Sequence, residues 1–147
     1  MKRIFITALA VATFWQVKAA DATWLTDLPT AQAQARTESK LVLMDFNGSD
    51  WCPDCIALKK RVLDTKRFQA YAITNLVLVD VDFPDKKPQS SDLKRANDAL
   101  KSKYQVEGLP ALIVLDSGGK EVGRLSSSEE ESAKTLTAAL EKLKGGK

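Results

Sequence analysis

Leu41-Val42-Leu43-Met44 is an unbroken apolar run ending at Asp45-Phe46. After the turn chemistry of Asn47-Gly48-Ser49 it leads into Trp51-Cys52-Pro53-Asp54-Cys55. A short run apolar at every position fits a central strand buried on both faces. Gly48 and its polar neighbours suit a tight turn, and Pro53 suits the first turn of a helix, where it gives up no hydrogen bond. A buried strand, a turn and a helix start thus follow within one short stretch, and the only two cysteines of the chain lie at its end.

The remaining pattern supplies the elements around this stretch. A helix is expected within Ala22 to Lys40, with Pro29 in its first turn and Ala31, Ala33, Ala35 and Glu38 behind it. The helix from Pro53 carries Ile56, Leu58, Val62 and Leu63 as apolar positions and Lys59, Lys60 and Arg61 as a solvated face. Asp64-Thr65 breaks or re-caps it before Phe68 and Tyr71. Leu76 to Phe83 begins as a buried strand and becomes alternating at its end, and Pro84 to Ser91 is a polar loop. Asp92 to Tyr104 has helical spacing through Leu93, Ala96 and Leu100. Ala111 to Asp116 and Glu121 to Leu125 form a hairpin around Ser117-Gly118-Gly119-Lys120. Ser128 and Glu131 read as a capping box for a last helix containing Leu136 and Leu140. The acidic run Glu129 to Glu131 reads as first-turn carboxylates favoured by the helix dipole rather than as a cation site. Two apolar strands joined by a helix imply a parallel core, to which the hairpin adds an antiparallel edge. The expected fold class is a single α/β domain with a mixed sheet flanked by helices.

The N-terminus has the order of a secretory signal peptide: Lys2 and Arg3, the apolar run Ile4 to Trp15, then Val17-Lys18-Ala19 with small residues at the −3 and −1 positions. The run is short for a permanent membrane span, and an uncleaved signal anchor is the other reading. Cleavage after Ala19 leaves 128 of the 147 residues, enough for one domain with a core. It also removes three of the 22 basic residues, leaving 19 against 19 acidic ones. A near-neutral domain argues against a nucleic-acid binder, which carries a basic face to neutralise phosphates. Export places the chain where disulfides persist, in the periplasm or secreted.

Two thiols separated by two residues at a helix start suit thiol–disulfide exchange. Unpaired backbone N–H groups at the positive end of the helix favour a thiolate at Cys52. Cys55, one turn on, is close enough to attack a mixed disulfide formed at Cys52. Cys52 is therefore the candidate nucleophile and Cys55 the resolving thiol. Pro53 fixes the start of the helix, and Trp51 shields one side of the sulfurs and offers an apolar contact to a partner. An intrachain zinc site needs about four ligands, and the chain has two cysteines and no histidine. A merely structural bridge would close so short a loop that its entropic benefit is small. Cu(I) held by two thiolates stays open, as does a binding module that does not turn over.

Asp45-Phe46, Trp51-Cys52-Pro53-Asp54-Cys55 and Lys103-Tyr104-Gln105-Val106-Glu107-Gly108-Leu109-Pro110-Ala111-Leu112 together resemble the thioredoxin superfamily. They are most similar to its exported members whose loop reads Gly-Ser-Asp-Trp-Cys. The resemblance implies a thioredoxin-like domain over residues 20–147, with residues 1–19 as the signal peptide. It implies a redox-active Cys52–Cys55 disulfide with no other cofactor and no metal. Pro110 matches the cis-proline that faces the dithiol, and Leu109 the residue whose backbone pairs with an extended substrate. Asp45 matches the buried acid that assists the resolving cysteine; a strand-end turn residue is its other reading. Asp45 lies seven residues before Cys52, one more than in ordinary thioredoxins, and the Pro84 to Ser91 loop is enlarged.

Redox direction follows from how strongly the Cys52 thiolate is stabilised. In the family's disulfide-forming oxidases with a proline-first motif, a histidine stands where this chain has Asp54. A carboxylate there opposes a neighbouring thiolate, with Asp50 and Asp45 adding to it and Lys59 and Lys60 too distant to offset it. A reducing dithiol is therefore expected, with Pro53 and Asp54 as tuning residues; an oxidant is the alternative. The resemblance implies oxidised proteins as substrates and a membrane thiol transporter as electron donor. The expected state is a monomer.

Overall fold

In the computed structural model, which describes residues 21–125 and 132–145, the run Leu41–Asn47 is the central strand β2, buried at all seven positions. It lies between β3 (Leu76–Asp82) and β4 (Ala111–Leu115). A two-residue strand β1 (Trp24–Leu25) and β5 (Glu121–Leu125) complete a sheet of order β1-β3-β2-β4-β5. β1 and β2 run parallel to β3, and β4 runs antiparallel to both β2 and β5. This is the mixed α/β sheet expected from the two apolar strands and the hairpin. The apolar segment 1–19 and the Ser128–Glu131 cap, with its run of acids, lie outside the described residues.

Because side chains alternate along a strand, β2 feeds two cores. Val42, Met44 and Phe46 face α1 (Leu28–Glu38), whose Leu28, Ala31 and Ala35 recur at helical spacing. Leu41 and Leu43 face the other side, with Leu58, Leu63 and Phe68 above them and Leu136 and Leu140 of α5 (Ala133–Gly145). Asp27 caps α1 by accepting the Thr30 N–H at 2.8 Å, with Pro29 in the first turn.

The helix expected from Pro53 is divided. α2 (Pro53–Leu58) continues into a π-helical turn at Lys59–Leu63; Thr65 then caps α3 (Lys66–Asn75) by accepting the Phe68 N–H. Its apolar positions also divide. Leu58, Val62 and Leu63 are buried, whereas Ile56 is 46% exposed because it faces away from the sheet beside the dithiol.

Two features add to the expected elements. The segment before α1 contributes β1, which pairs Trp24 with Leu78; Gln69 ties it down by accepting the Ala22 N–H at 2.7 Å. α4 (Ser91–Lys103) forms where the spacing of Leu93, Ala96 and Leu100 places a helix, and Leu100 packs against the core on the α1 side. Ala96 is exposed, Leu93 and Leu100 are half-buried, and the buried residue is Asn97, whose amide donates to the Asp82 carbonyl at 2.8 Å.

Candidate active site

β2 delivers the chain to the end of the sheet, and the turn after it is built around Gly48. The Gly48 carbonyl accepts N–H bonds from Trp51 at 3.3 Å and from Cys52 at 2.9 Å. A Cβ on Gly48 would sit 2.6 Å from the Trp51 indole, so only glycine lets the ring lie over this backbone. The indole is half exposed and donates from Nε1 to the Phe83 carbonyl at 2.7 Å. Ser49 donates to the Asp82 carboxylate through both its N–H (2.9 Å) and its hydroxyl (2.6 Å). The Asp50 carboxylate accepts the backbone N–H groups of Asp85, Lys86 and Lys87 at 2.8–2.9 Å. The turn is thereby fastened along its length to the end of β3 and the loop after it. These hydrogen bonds, that from Asp85 foremost, hold the Asp50 carboxyl below its ordinary range. Its carboxylate thereby organises the 85–87 backbone.

Cys52 has extended backbone angles and is the N-cap of α2, with Pro53 at the first helical position. Its sulfur accepts the Cys55 N–H at 3.2 Å and forms a disulfide with Cys55 across a Cα–Cα distance of 5.3 Å. Both cysteines are buried, at 5% and 4% exposure, between the flanking side chains Trp51 and Ile56, which stand out into solvent. Asp54 is exposed in the first turn of α2.

The segment leading into β4 lies at the same end of the sheet. β4 pairs Ala111 with Phe46, which sets the preceding Leu109 and Pro110 beside the Asn47–Gly48 end of β2. The Leu109–Pro110 peptide bond is cis. The Arg124 guanidinium donates to the Tyr104 carbonyl and so ties β5 to the segment leading into this bond.

Beneath the dithiol, Asp45 is 6% exposed. It shares its sheet face with Leu41 and Leu43, by the period of two. Asn47 donates to its Oδ2 at 3.4 Å. Asp45 and Cys55 line one small cleft together with Lys59, which is ion-paired with Asp64 at 2.5 Å. Lys59, one α-helical turn after Cys55, lines this cleft while keeping the solvent exposure expected of it. The structure also places Asp80, in register with Asp45 on β3, among these groups. Asp80 stands outside the sequence motifs. Its signal was the shared phase of Asp45, Asn47, Asp80 and Asp82, each following leucines on the same face.

A disulfide closing the N-cap of a helix, a buried strand carboxyl lining a cleft with it, and a cis-proline just before the neighbouring strand make up the construction of a thioredoxin-like domain. The model of the thioredoxin-like domain family matches residues 28–144, and the chain belongs to that family. Among relatives, the disulfide bond reductase DsbH of Chlamydia pneumoniae is 35% identical over 95 residues, covering 65% of this chain and 57% of DsbH. The thioredoxin-related protein DsbJ of Chlamydia pneumoniae is 30% identical over 117 residues, 80% of this chain and 34% of DsbJ. The chain therefore spans less than two thirds of either relative. A solved structure of a DsbH oxidoreductase superposes with a TM-score of 0.78 at 28% identity, covering 95% of this chain and 96% of that one.

Proposed function

We propose that this chain is an exported thiol–disulfide oxidoreductase that works as a reductase of protein disulfides. The observation that carries the reading is Cys52 at the N-cap of α2, bonded to Cys55 and accepting its N–H. In the reduced protein that N–H and the helix start stabilise a Cys52 thiolate. The thiolate attacks a substrate disulfide, forms a mixed disulfide and releases the first substrate sulfur as a thiolate. Cys55 gives its proton to Asp45 and attacks Cys52. The Cys52–substrate bond breaks, the second substrate sulfur leaves with the electron pair, and Cys52–Cys55 is oxidised by two electrons. Trp51, Leu109 and Pro110 are the surfaces on which an extended substrate segment lies.

The reducing direction rests on Asp54, whose carboxylate in the first turn opposes the Cys52 thiolate; the name of the relative DsbH agrees with it. Export rests on Lys2, Arg3 and the apolar run Ile4 to Trp15. A reductase in that compartment draws electrons from a donor, and a membrane thiol transporter is the donor proposed. The protein acts as a monomer.

Equilibration in dithiothreitol or glutathione buffers, followed by tryptophan fluorescence, tests the direction. The expected midpoint lies nearer thioredoxin, about −270 mV, than the strong oxidants near −120 mV; a midpoint at the latter end overturns the reductase reading. Insulin reduction is expected to vanish in Cys52→Ala. Mixed disulfides are expected to accumulate in Cys55→Ala, and trapping by Cys52→Ala in its place reverses the roles.

A further inference from the structure

On the face of the sheet below α2, the β2–β3 register sets Asp45 beside Asp80 and Asn47 beside Asp82. The Asn47 amide bridges the first pair, donating to Asp80 Oδ1 at 2.7 Å and to Asp45 Oδ2 at 3.4 Å. Two adjoining clefts, of about 170 and 280 Å³, meet here. Asp45, Asn47, Ser49 and Lys59 line both; Cys55 lines only the smaller, and Asp80 only the larger. Asp45 therefore stands between the resolving cysteine and Asp80.

We propose that Asp80 is a positioning residue for Asp45, orienting it through Asn47 and, as a like charge on the neighbouring strand, setting when it holds the proton taken from Cys55. This rests on the dithiol exchange proposed above. When Cys55 attacks Cys52, its proton moves to the Asp45 carboxylate and the Cys52–substrate bond breaks. The substrate thiolate takes a proton from water, and the proton on Asp45 returns to water.

Like charges at one site oppose each other's ionisation, and carboxylates coupled strongly enough titrate as a pair. The groups facing Asp80 are mixed. Burial, the largest effect, raises its carboxyl; the Asn47 hydrogen bond lowers it, Asp82 on the same strand raises it, and Lys59 and Lys87 lower it. The net displacement is upward, toward the pH at which exchange proceeds. Lys59 divides its charge between this cleft and Asp64.

The test uses the reduced protein with 5,5′-dithiobis(2-nitrobenzoate). Attack by Cys52 releases one thionitrobenzoate, and resolution by Cys55 releases a second. Asp80→Asn keeps the shape and an acceptor for Asn47 while removing the charge. Its second release is expected to persist about one pH unit lower than in wild type, with the first release unmoved. Asp80→Glu is expected to restore the wild-type profile. In side-chain carboxyl NMR of the wild-type protein, Asp45 and Asp80 are expected to titrate in two shared steps about one unit or more apart. The NMR measurement requires no variant to fold. An unshifted second release in Asp80→Asn, or independent single-step titrations in wild type, overturns the proposal. Absence of a second release in wild type overturns the dithiol exchange itself, and this inference with it.

Discussion

Replacing Gly48 by alanine tests how the turn holds Trp51. The φ of Gly48 is not positive, so alanine meets no backbone penalty there. Its whole effect comes from a Cβ placed 2.6–2.8 Å from three atoms of the indole. Relief requires the ring to lift by about 1 Å, judged from an ordinary carbon–carbon contact of about 3.5–4.0 Å. That movement stretches the 2.7 Å bond from Nε1 to the Phe83 carbonyl. Overpacking costs about 1–3 kcal/mol and a lost hydrogen bond about 0.5–1.5 kcal/mol. Because the indole is half exposed and free to swing outward, the lower part applies, about 1–2 kcal/mol in all. A domain stable by about 5–15 kcal/mol remains folded at that cost.

Urea unfolding of the oxidised protein, followed by far-ultraviolet circular dichroism, measures the change. The decisive comparison is the same substitution in a Trp51→Ala background, where the Cβ meets no ring. There the cost is expected to fall below about 0.5 kcal/mol, giving a coupling of about 1 kcal/mol or more between the two positions. Equal costs in the two backgrounds, within about 0.3 kcal/mol, would refute the argument that Gly48 is required by the indole.

If Asp54 opposes the Cys52 thiolate as proposed, Asp54→Asn is expected to make the couple more oxidising, by about 10–30 mV; the redox-buffer midpoint measures it, and a shift in the reducing direction contradicts the proposed role. Asp50→Ala removes the acceptor of three backbone N–H groups, and the amide resonances of Asp85, Lys86 and Lys87 are expected to lose their ordered dispersion while those of β2 stay. The folded protein lowers the Asp50 carboxyl below its reference of 3.8. The stabilisation it contributes is therefore fully present above 3.8 and is lost as pH falls through the lowered value, with the same three resonances reporting it. Leu136→Ala, at a side chain with no exposed surface, is expected to cost about 2–5 kcal/mol in urea unfolding.

The sequence was most legible where one pattern had one physical reading. The apolar run Leu41 to Met44, the cysteine pair after Gly48 and the Ser117–Lys120 hairpin each specify local structure without help from the rest of the chain. β1 was not legible, because two residues have no period and Trp24-Leu25 becomes a strand only by pairing with Leu78 and Val79. α4 was legible as a helix from the spacing of Leu93, Ala96 and Leu100, but not its buried polar seat, the Asn97 amide on a strand-end carbonyl. Within the site, Pro110 was found from its motif. Asp80 was missed because a strand-end aspartate reads as a solvated residue until the register sets it beside Asp45.

The fastening of residues 49–51 to the 82–87 segment has a consequence for grafting this motif. The redox turn is half of a two-piece part. Its serine, aspartate and tryptophan are matched to the Asp82 carboxylate, the Phe83 carbonyl and three N–H groups of the following loop. Transplanting Asn47–Cys55 alone into another thioredoxin-like host would carry the cysteines but leave those groups facing the host's own loop. A working transplant takes both pieces together.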